Sequence, residues 1–211
     1  MEKRYKNLFF LSLFLFLPLC LTPALDSYTV EGGLQFLINS DQDSAPSPLM
    51  PTLGFSRPFW KRGIFTLDGG ALFFGTYYQY QNDRALPAEI EHRDFLVLAS
   101  LVDARIGPEF IINNRLKAGG GLGLALFIRL PIPLFDDIKD DFTPLLGYFY
   151  AGRFVYPETE IYTAWKLNDK LELKTSIRVL FPIFHLWDGE ELPFVDQMLI
   201  SGLIGIRYTL P

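Results

Sequence analysis

Few residues in this chain have the types and spacing that chemistry needs. There are two histidines, His92 and His185. His185 lies in the run FHLWDGEE, with Asp188, Glu190 and Glu191 close behind, so an imidazole base and an orienting acid are available. A base of that kind needs a nucleophile within hydrogen-bond reach. Trp187 rather than a serine holds the neighbouring same-face position, and Ser100 falls on a face assigned below to lipid. His185 therefore reads as an interfacial residue beside Trp187, and His92, next to Arg93 and Asp94, as a loop-end residue. A second cluster, DDIKDD, gathers Asp136, Asp137, Asp140 and Asp141. Carboxylate oxygens suit hard cations, but the run lacks the spacing and glycine of a calcium loop, and like-charge runs usually stay solvated. The third stretch is LKAGGGLGLALFIRL, Leu116–Leu130. Reading G-x-G-x-x-G from Gly119 puts Leu124 in the last place, and from Gly121 it puts Leu126 there, so a dinucleotide loop is excluded. Ala118–Ile128 is only 11 uncharged residues, short of the roughly 20 that a spanning helix needs, and its glycines disfavour helix. No catalytic residue, metal ligand or cofactor-binding residue is expected.

The 211 residues suit one closed core or barrel. Almost half are apolar and 16% aromatic. The one long apolar run stands at the start: Lys3, Arg4 and Lys6 precede Leu8–Leu17, Pro18 breaks the run, and Thr22-Pro23-Ala24 supplies small residues. This is signal-peptide anatomy, giving residues 1–24 as a cleaved signal and 25–211 as a single barrel domain. Cys20, the only cysteine, falls within the discarded segment. Leu19 before it is not the small residue a lipoprotein signal wants, although lipidation of Cys20 stays open. Residues 1–24 hold three basic residues and Glu2, so the 19 basic and 24 acidic residues of the chain become 16 and 23, a net −7. That balance argues against nucleic acid as a partner.

Beyond residue 24 the hydrophobic period is two rather than 3.6. In FLVLASLVDARIG (95–107) and KLELKTSIRVLF (170–181), apolar and polar positions alternate as a strand between unlike environments requires. Eight strands are predicted, near 28–39, 49–59, 63–81, 92–108, 114–130, 152–167, 170–184 and 195–210. The connections alternate between short (60–63, 109–114, 168–170) and long, acidic ones (40–49, 82–92, from 131 onward, 185–194). An up-and-down barrel puts alternate connections at opposite ends, and transmembrane barrels pair short periplasmic turns with longer outer loops. The expected fold is therefore all-β, an antiparallel up-and-down transmembrane β-barrel of eight strands.

Charge falls on one alternating set: Glu31, Asp68, Asp103, Arg105, Arg115, Lys117, Arg129, Glu160, Lys166, Glu172, Lys174, Arg178 and Arg207. The opposite set is almost free of it, for example Leu34, Phe36, Phe73, Leu122, Leu124, Ile161, Ile204 and Ile206. A soluble barrel would turn that set inward and the charges outward. In water an outward apolar set would form a belt larger than soluble monomers show; in lipid it is required. The charged set is thus expected to line the lumen as a paired network. Gly119, Gly121 and Gly123 join it as an inward glycine stripe, leaving room either for bulky neighbours or for a solute path. Ten aromatics, among them Trp60, Tyr78, Phe149, Tyr162, Trp165, Trp187 and Tyr208, sit near predicted strand ends and suit an interfacial girdle.

The last strand, SGLIGIRYTLP, resembles the terminal strand of bacterial outer-membrane barrels, with Gly205, Tyr208 and Leu210 at the matching positions. Leu203 and the trailing Pro211 depart from the pattern. Across its length the chain resembles the small eight-stranded barrels of the OmpX, OmpW and OmpA-membrane-domain type. The resemblance implies location in the bacterial outer membrane, contact with its lipids, and assembly by periplasmic chaperones and the barrel-assembly machinery. It also implies no cofactor, and a structural or surface-interaction role in the cell envelope, with external loops that meet extracellular ligands. The alternatives it carries are a narrow, porin-like channel or a lateral pathway for small hydrophobic molecules, and a lipid-modifying barrel enzyme.

Overall fold

A computed structural model describes residues 27–40, 46–81, 83–135, 139–187, 189 and 192–210. The expected signal peptide and Cys20 lie outside these residues, as do Asp136 and Asp137 of the acidic run. The strands are β1 Ser27–Leu37, β2 Leu49–Arg62, β3 Phe65–Gln81, β4 Arg84–Pro87, β5 Phe95–Ile111, β6 Leu116–Pro133, β7 Val155–Lys166, β8 Leu171–Leu180 and β9 Leu199–Thr209. Every pairing between them is antiparallel. The sheet runs β2-β1-β9-β8-β7-β6-β5-β3-β4, and the added β2–β3 pairing closes it. Eight long strands thus form a barrel, while short β4 extends the upper end of β3 only.

Local chemistry explains the short turns. Arg62 pairs with Phe65, and Gly63, at φ +60°, takes the left-handed position that a two-residue hairpin demands. The other two turns share one device. Asn113 Oδ1 accepts the N–H groups of Arg115 and Leu116 at 2.8 and 2.9 Å, and Asn168 Oδ1 accepts those of Lys170 and Leu171, both at 2.9 Å. Asparagine side chains that mimic a backbone turn do this. The start of β1, Ser27, and the end of β9, Thr209, lie at this short-turn end and pair with each other.

The eight long strands, 10 to 18 residues each, meet or exceed the roughly 9–11 needed to cross hydrocarbon. Burial alternates along them, with outward Val30, Leu34, Leu53, Leu122, Leu124, Ile161, Ile177 and Ile204 exposed. These form the apolar belt expected of the uncharged set. Trp60, Trp165 and Tyr208 are exposed near the short-turn end and Trp187 near the long-loop end. Tyr78, Phe149 and Tyr162, expected in the girdle, are instead buried inside the barrel. Strand parity turns Tyr78 and Tyr162 inward, and Phe149 lies on the buried face of the segment 142–150.

Besides β4, which falls in the connection expected over 82–92, two elements depart from the sequence reading. The segment Phe142–Tyr150, expected as loop, is a helix, α1, which buries Leu145, Tyr148 and Phe149. That i, i+3, i+4 set is a helical stripe, and Pro144 fits because the first turn needs no N–H from it. The strand expected over 170–184 stops at Leu180, and Ile183–Leu186 forms a 3₁₀ turn. Phe181 N–H still bonds Pro157 O at 2.8 Å, but Pro182 has no N–H with which to continue a ladder.

Candidate functional site

The inward faces divide the lumen into two zones. Toward the short turns and the middle it is ionic. Glu160 on β7 is the hub: its carboxylate meets Arg105 Nη1 at 2.7 Å, Lys174 Nζ at 2.8 Å and Arg178 Nε at 3.3 Å. Arg105 also reaches Asp103 at 2.9 Å and Glu158 at 3.5 Å. Arg178 bonds Glu31 over the intervening β9, and Asp103 at 3.4 Å. All these side chains are buried. Below them Arg207 bonds Glu109 at 2.8 Å and Glu172 at 3.4 Å, Lys61 reaches Glu109 at 3.2 Å, and Lys117 pairs with Glu172. Tyr162 donates to Glu109 Oε2 at 3.0 Å, with Lys174 Nζ 4.7 Å from its ring centroid. Asp68 lines the same lower space.

The glycine stripe fits into this packing. Gly119, Gly121 and Gly123 face inward on β6. A Cβ at Gly119 would overlap the Tyr162 phenol, and one at Gly123 would overlap Arg105 and the Ala104 carbonyl. At Gly121 it would touch Arg105 Cβ at 3.5 Å. The room left by the glycines is occupied by bulky side chains rather than open to solute. What stays open is a cavity of about 210 Å³ at the short-turn mouth, between Lys61, Glu109, Lys117, Glu172 and Arg207. It is smaller than the roughly 300–1,000 Å³ of small-molecule pockets.

Three members of the predicted charged set stand apart. Arg115 is exposed in the β5–β6 turn and does not enter the lumen. It falls one residue before β6 begins, where period-two parity no longer fixes direction. Lys166, at the end of β7, turns to Asp169 in the next turn at 2.8 Å. Arg129 is buried, but its guanidinium donates to the backbone oxygens of Phe149 and Arg153 and stacks on Phe127 and Phe149 at 4.4 and 4.3 Å from the ring centroids. Conversely, the sequence reading did not place Glu109, Glu158 or Tyr162 in the network. Glu158 and Tyr162 share parity with Glu160, a signal that could have found them. Glu109 had been read as turn, but β5 runs on to Ile111. Of the assembly-like residues, Gly205 lies on the inward face with buried Leu203, whereas Tyr208 and Leu210 are exposed.

The long-loop half of the lumen is apolar. Phe74, Tyr78, Phe95, Val97, Phe127, Tyr156, Leu180 and Leu199 pack with Leu145, Tyr148 and Phe149 of α1 and with Phe184. Edge-to-face ring pairs link Phe127–Tyr156, Tyr156–Phe184 and Tyr78–Phe149 at 5.5, 5.8 and 5.3 Å. The helix also covers a bare strand edge. β6–β7 pairing ends at Leu126–Val155, yet β6 continues to Pro133. There the Tyr150 hydroxyl accepts from Arg129 N–H at 3.2 Å and donates to Arg129 O at 2.9 Å.

One polar node ties the cap together. Asp196, fully buried, accepts Ser40 N–H at 2.7 Å and lies 3.9 Å from Arg84. His185 Nε2 sits 2.9 Å from the Asp196 carbonyl oxygen. Next to it Gln197, at φ +61°, donates to Tyr148 OH at 3.1 Å, and its N–H bonds Ile38 O at 2.7 Å. All four long connections therefore meet at Asp196–Gln197. Burial pushes the Asp196 carboxyl above the ordinary carboxylate range, and the Ser40 N–H, Arg84, His185 and Gln197 oppose that push without cancelling it. His92 is exposed in the 3₁₀ turn Ile90–His92. Among the described residues no group of three or more metal-ligating side chains converges.

The sequence matches no protein-family profile and no curated protein. Solved structures do match the fold. Neisserial surface protein A superposes with a TM-score of 0.55 at 8% identity, over 87% of this chain and 96% of that one. Ail, the attachment invasion locus protein of Yersinia pestis, gives 0.45 at 10% identity over 87% and 97%. The outer-membrane enzyme PagL gives 0.41 at 13% over 87% and 99%. The first carries the comparison: the chain has the fold of the small eight-stranded outer-membrane barrels.

Two outcomes are expected. Arg178→Ala removes the cation shared by Glu31, Asp103 and Glu160 and should destabilise the barrel by about 3–5 kcal/mol. Urea unfolding in vesicles reads this; an unchanged midpoint together with a rise in channel current would contradict the filled lumen. The second concerns pH. A carboxyl whose folded pKa is raised stabilises the cap below its unfolded value of about 4 and withdraws that support as pH climbs through the folded value. Exchange protection of the Ser40 and Gln197 amides should therefore fall as pH rises, after correction for intrinsic exchange. Asp196→Asn, neutral and of the same shape, should flatten the profile; a profile unaltered by the substitution would count against this role for Asp196.

Proposed function

We propose that this protein resides in the bacterial outer membrane and works through contacts of its external loop surface, without catalysis and without a standing pore. The premise is the barrel fold with its apolar belt, and the short turns then face the periplasm. The observation that carries the reading is the cap: α1 and the Asp196–Gln197 node hold four long loops over a lumen filled with side chains. Those connections, 38–48, 82–94, 134–154 and 181–198, hold fourteen acidic and four basic residues, a net −10. Exposed Ile90, Leu186, Trp187 and Val195 lie among them. A surface mixing carboxylates with apolar side chains suits a basic, partly apolar partner. The engagement of His185 Nε2 with a backbone oxygen supports the non-catalytic reading. The exposed Tyr208 and Leu210 support recognition by the barrel-assembly machinery.

A second reading draws on the bare upper edge of β6. Movement of α1 would open a lateral route from the outer leaflet, above the Leu126–Val155 pair, into the apolar chamber around Phe127, Tyr156 and Phe184.

Vesicles carrying the protein should bind a polylysine surface. They should lose most of that binding when Glu89, Glu91, Asp140 and Asp141 become the corresponding amides, and planar bilayers should show no steady single-channel current. Undiminished binding in the amide variant, or steady currents in the parent, would overturn the loop-contact reading. The lateral route predicts that Tyr150→Phe, which removes both hydrogen bonds to Arg129, speeds entry of an apolar dye into the same vesicles. An unchanged entry rate would dismiss it.

A further inference from the structure

The outward charge of the barrel is polarised along its axis, and the short-turn end is the basic one. Arg62, Arg115 and Lys170 are exposed there and Arg57 is half-buried. Among the described residues none of these four has a carboxylate within ion-pairing distance, whereas the neighbouring Lys61 and Lys166 are paired with Glu109 and Asp169. Arg57 is held differently from a solvated arginine. It faces outward on β2, above the hairpin, with its guanidinium 5.4 Å from the Tyr28 ring centroid and 5.5 Å from that of Phe59. A cation on the lipid-facing wall, stacked on aromatics and without a protein anion, is placed to snorkel to the headgroup level.

The cations share this rim with side chains that prefer lipid to water. Ile111 is 75% exposed, Ile112 59% and Leu167 54%, all in or beside the turns that carry Arg115 and Lys170. Arg115 O accepts Lys166 N–H at 2.7 Å, so these two turns form one continuous arc. Trp165 on that arc and Trp60 on the β2 side stand exposed at the same end. Apolar turn residues would be out of place in open water, and tryptophan settles at the headgroup level. Basic side chains at that depth are attracted to anionic lipid surfaces.

We propose that the short-turn rim is a binding surface for anionic phospholipid headgroups of the inner leaflet. Arg115 and Lys170 serve on one arc and Arg57 and Arg62 on the other. The phosphate-bearing headgroup replaces the missing protein carboxylates, while Ile111, Ile112 and Leu167 sink beside the glycerol and upper acyl region. With acidic loops at one end and this rim at the other, charge alone distinguishes the two leaflets. The inference rests on the reading that the barrel spans a membrane with its short turns in the periplasmic leaflet.

The test uses the barrel refolded in phosphatidylcholine vesicles, with Trp187→Phe so that only Trp60 and Trp165 report. Their fluorescence is quenched by brominated phosphatidylglycerol or brominated phosphatidylcholine, and the ratio gives relative affinity at the rim. Heat-modifiable gel migration establishes separately that the barrel has closed and inserted; failure there would overturn the membrane reading itself. With insertion shown, phosphatidylglycerol should be preferred by roughly five-fold or more at low salt, the ratio that about 1 kcal/mol per basic residue implies, and the preference should shrink as salt rises. Arg115→Gln with Lys170→Gln should reduce the preference, and adding Arg57→Gln and Arg62→Gln should bring it near unity. The first pair, confined to two exposed turns outside the barrel wall, keeps the test readable if the fourfold variant does not fold. Equal quenching by both lipids in the parent overturns the proposal. So does a preference that survives the substitutions, or retention of the protein by sedimented peptidoglycan in place of any lipid preference.

Discussion

Eleven residue pairs, from Ser27–Thr209 to Leu37–Leu199, join the first strand to the last, and the rest of the molecule depends on that seam. A sheet left open in hydrocarbon would present unpaired N–H and C=O groups, each costing several kcal/mol, so a strand-built span must close on itself. Closure also sets register. Side chains alternate with period two, so a slip of β1 by one residue at the seam would turn Glu31 toward lipid and Val30 into the lumen. The apolar belt and the ionic interior are two faces of one register choice.

That choice obliges the interior to neutralise what it collects. Arg105 of β5 and Lys174 and Arg178 of β8 converge on Glu160 of a third strand, β7. A buried charge without a partner costs several kcal/mol, so the pairing is less a bonus than a condition for having these residues inside at all. Small residues serve the same end. The glycines of β6 give up side chains so that Arg105 and Tyr162 can occupy the middle of a narrow barrel.

Above the charged zone the solution changes from pairing to exclusion. Aromatic rings from four strands, α1 and the Ile183–Leu186 turn fill the loop end. Arg129 and Arg153 are accommodated there by backbone oxygens and ring faces. The wall is uneven at this height, because β6 outlasts its partner β7, and α1 supplies a hydroxyl where a strand would have supplied a ladder. Helix, strand edge and loop node thus form one cap, which places the loop surface over the ring-filled end of the barrel.

The alternation in 95–107 and 170–181, the even strand count, the short-and-long rhythm of the connections and the division of charge between faces were all legible in the amino-acid order. Each follows from geometry local to a strand: two residues per repeat, one face in lipid, one face not. Arg115 and Lys166 show where that reasoning stops, since parity fixes direction only while the ladder holds and both lie where it gives way to a turn. The helix 142–150 and the strand end at Leu180 were hidden for a related reason. Nine residues of helix in a long connection carry too little periodic signal, and what stabilises α1 is the chamber of rings beneath it. Only the tertiary structure could say that cations on β5 and β8 meet at one β7 carboxylate, that Tyr150 covers a strand edge, and that residues near 40, 84, 148 and 185 gather at Asp196–Gln197. Those partners are distant in sequence and are brought together by barrel closure, and no period along the chain records which of them will touch.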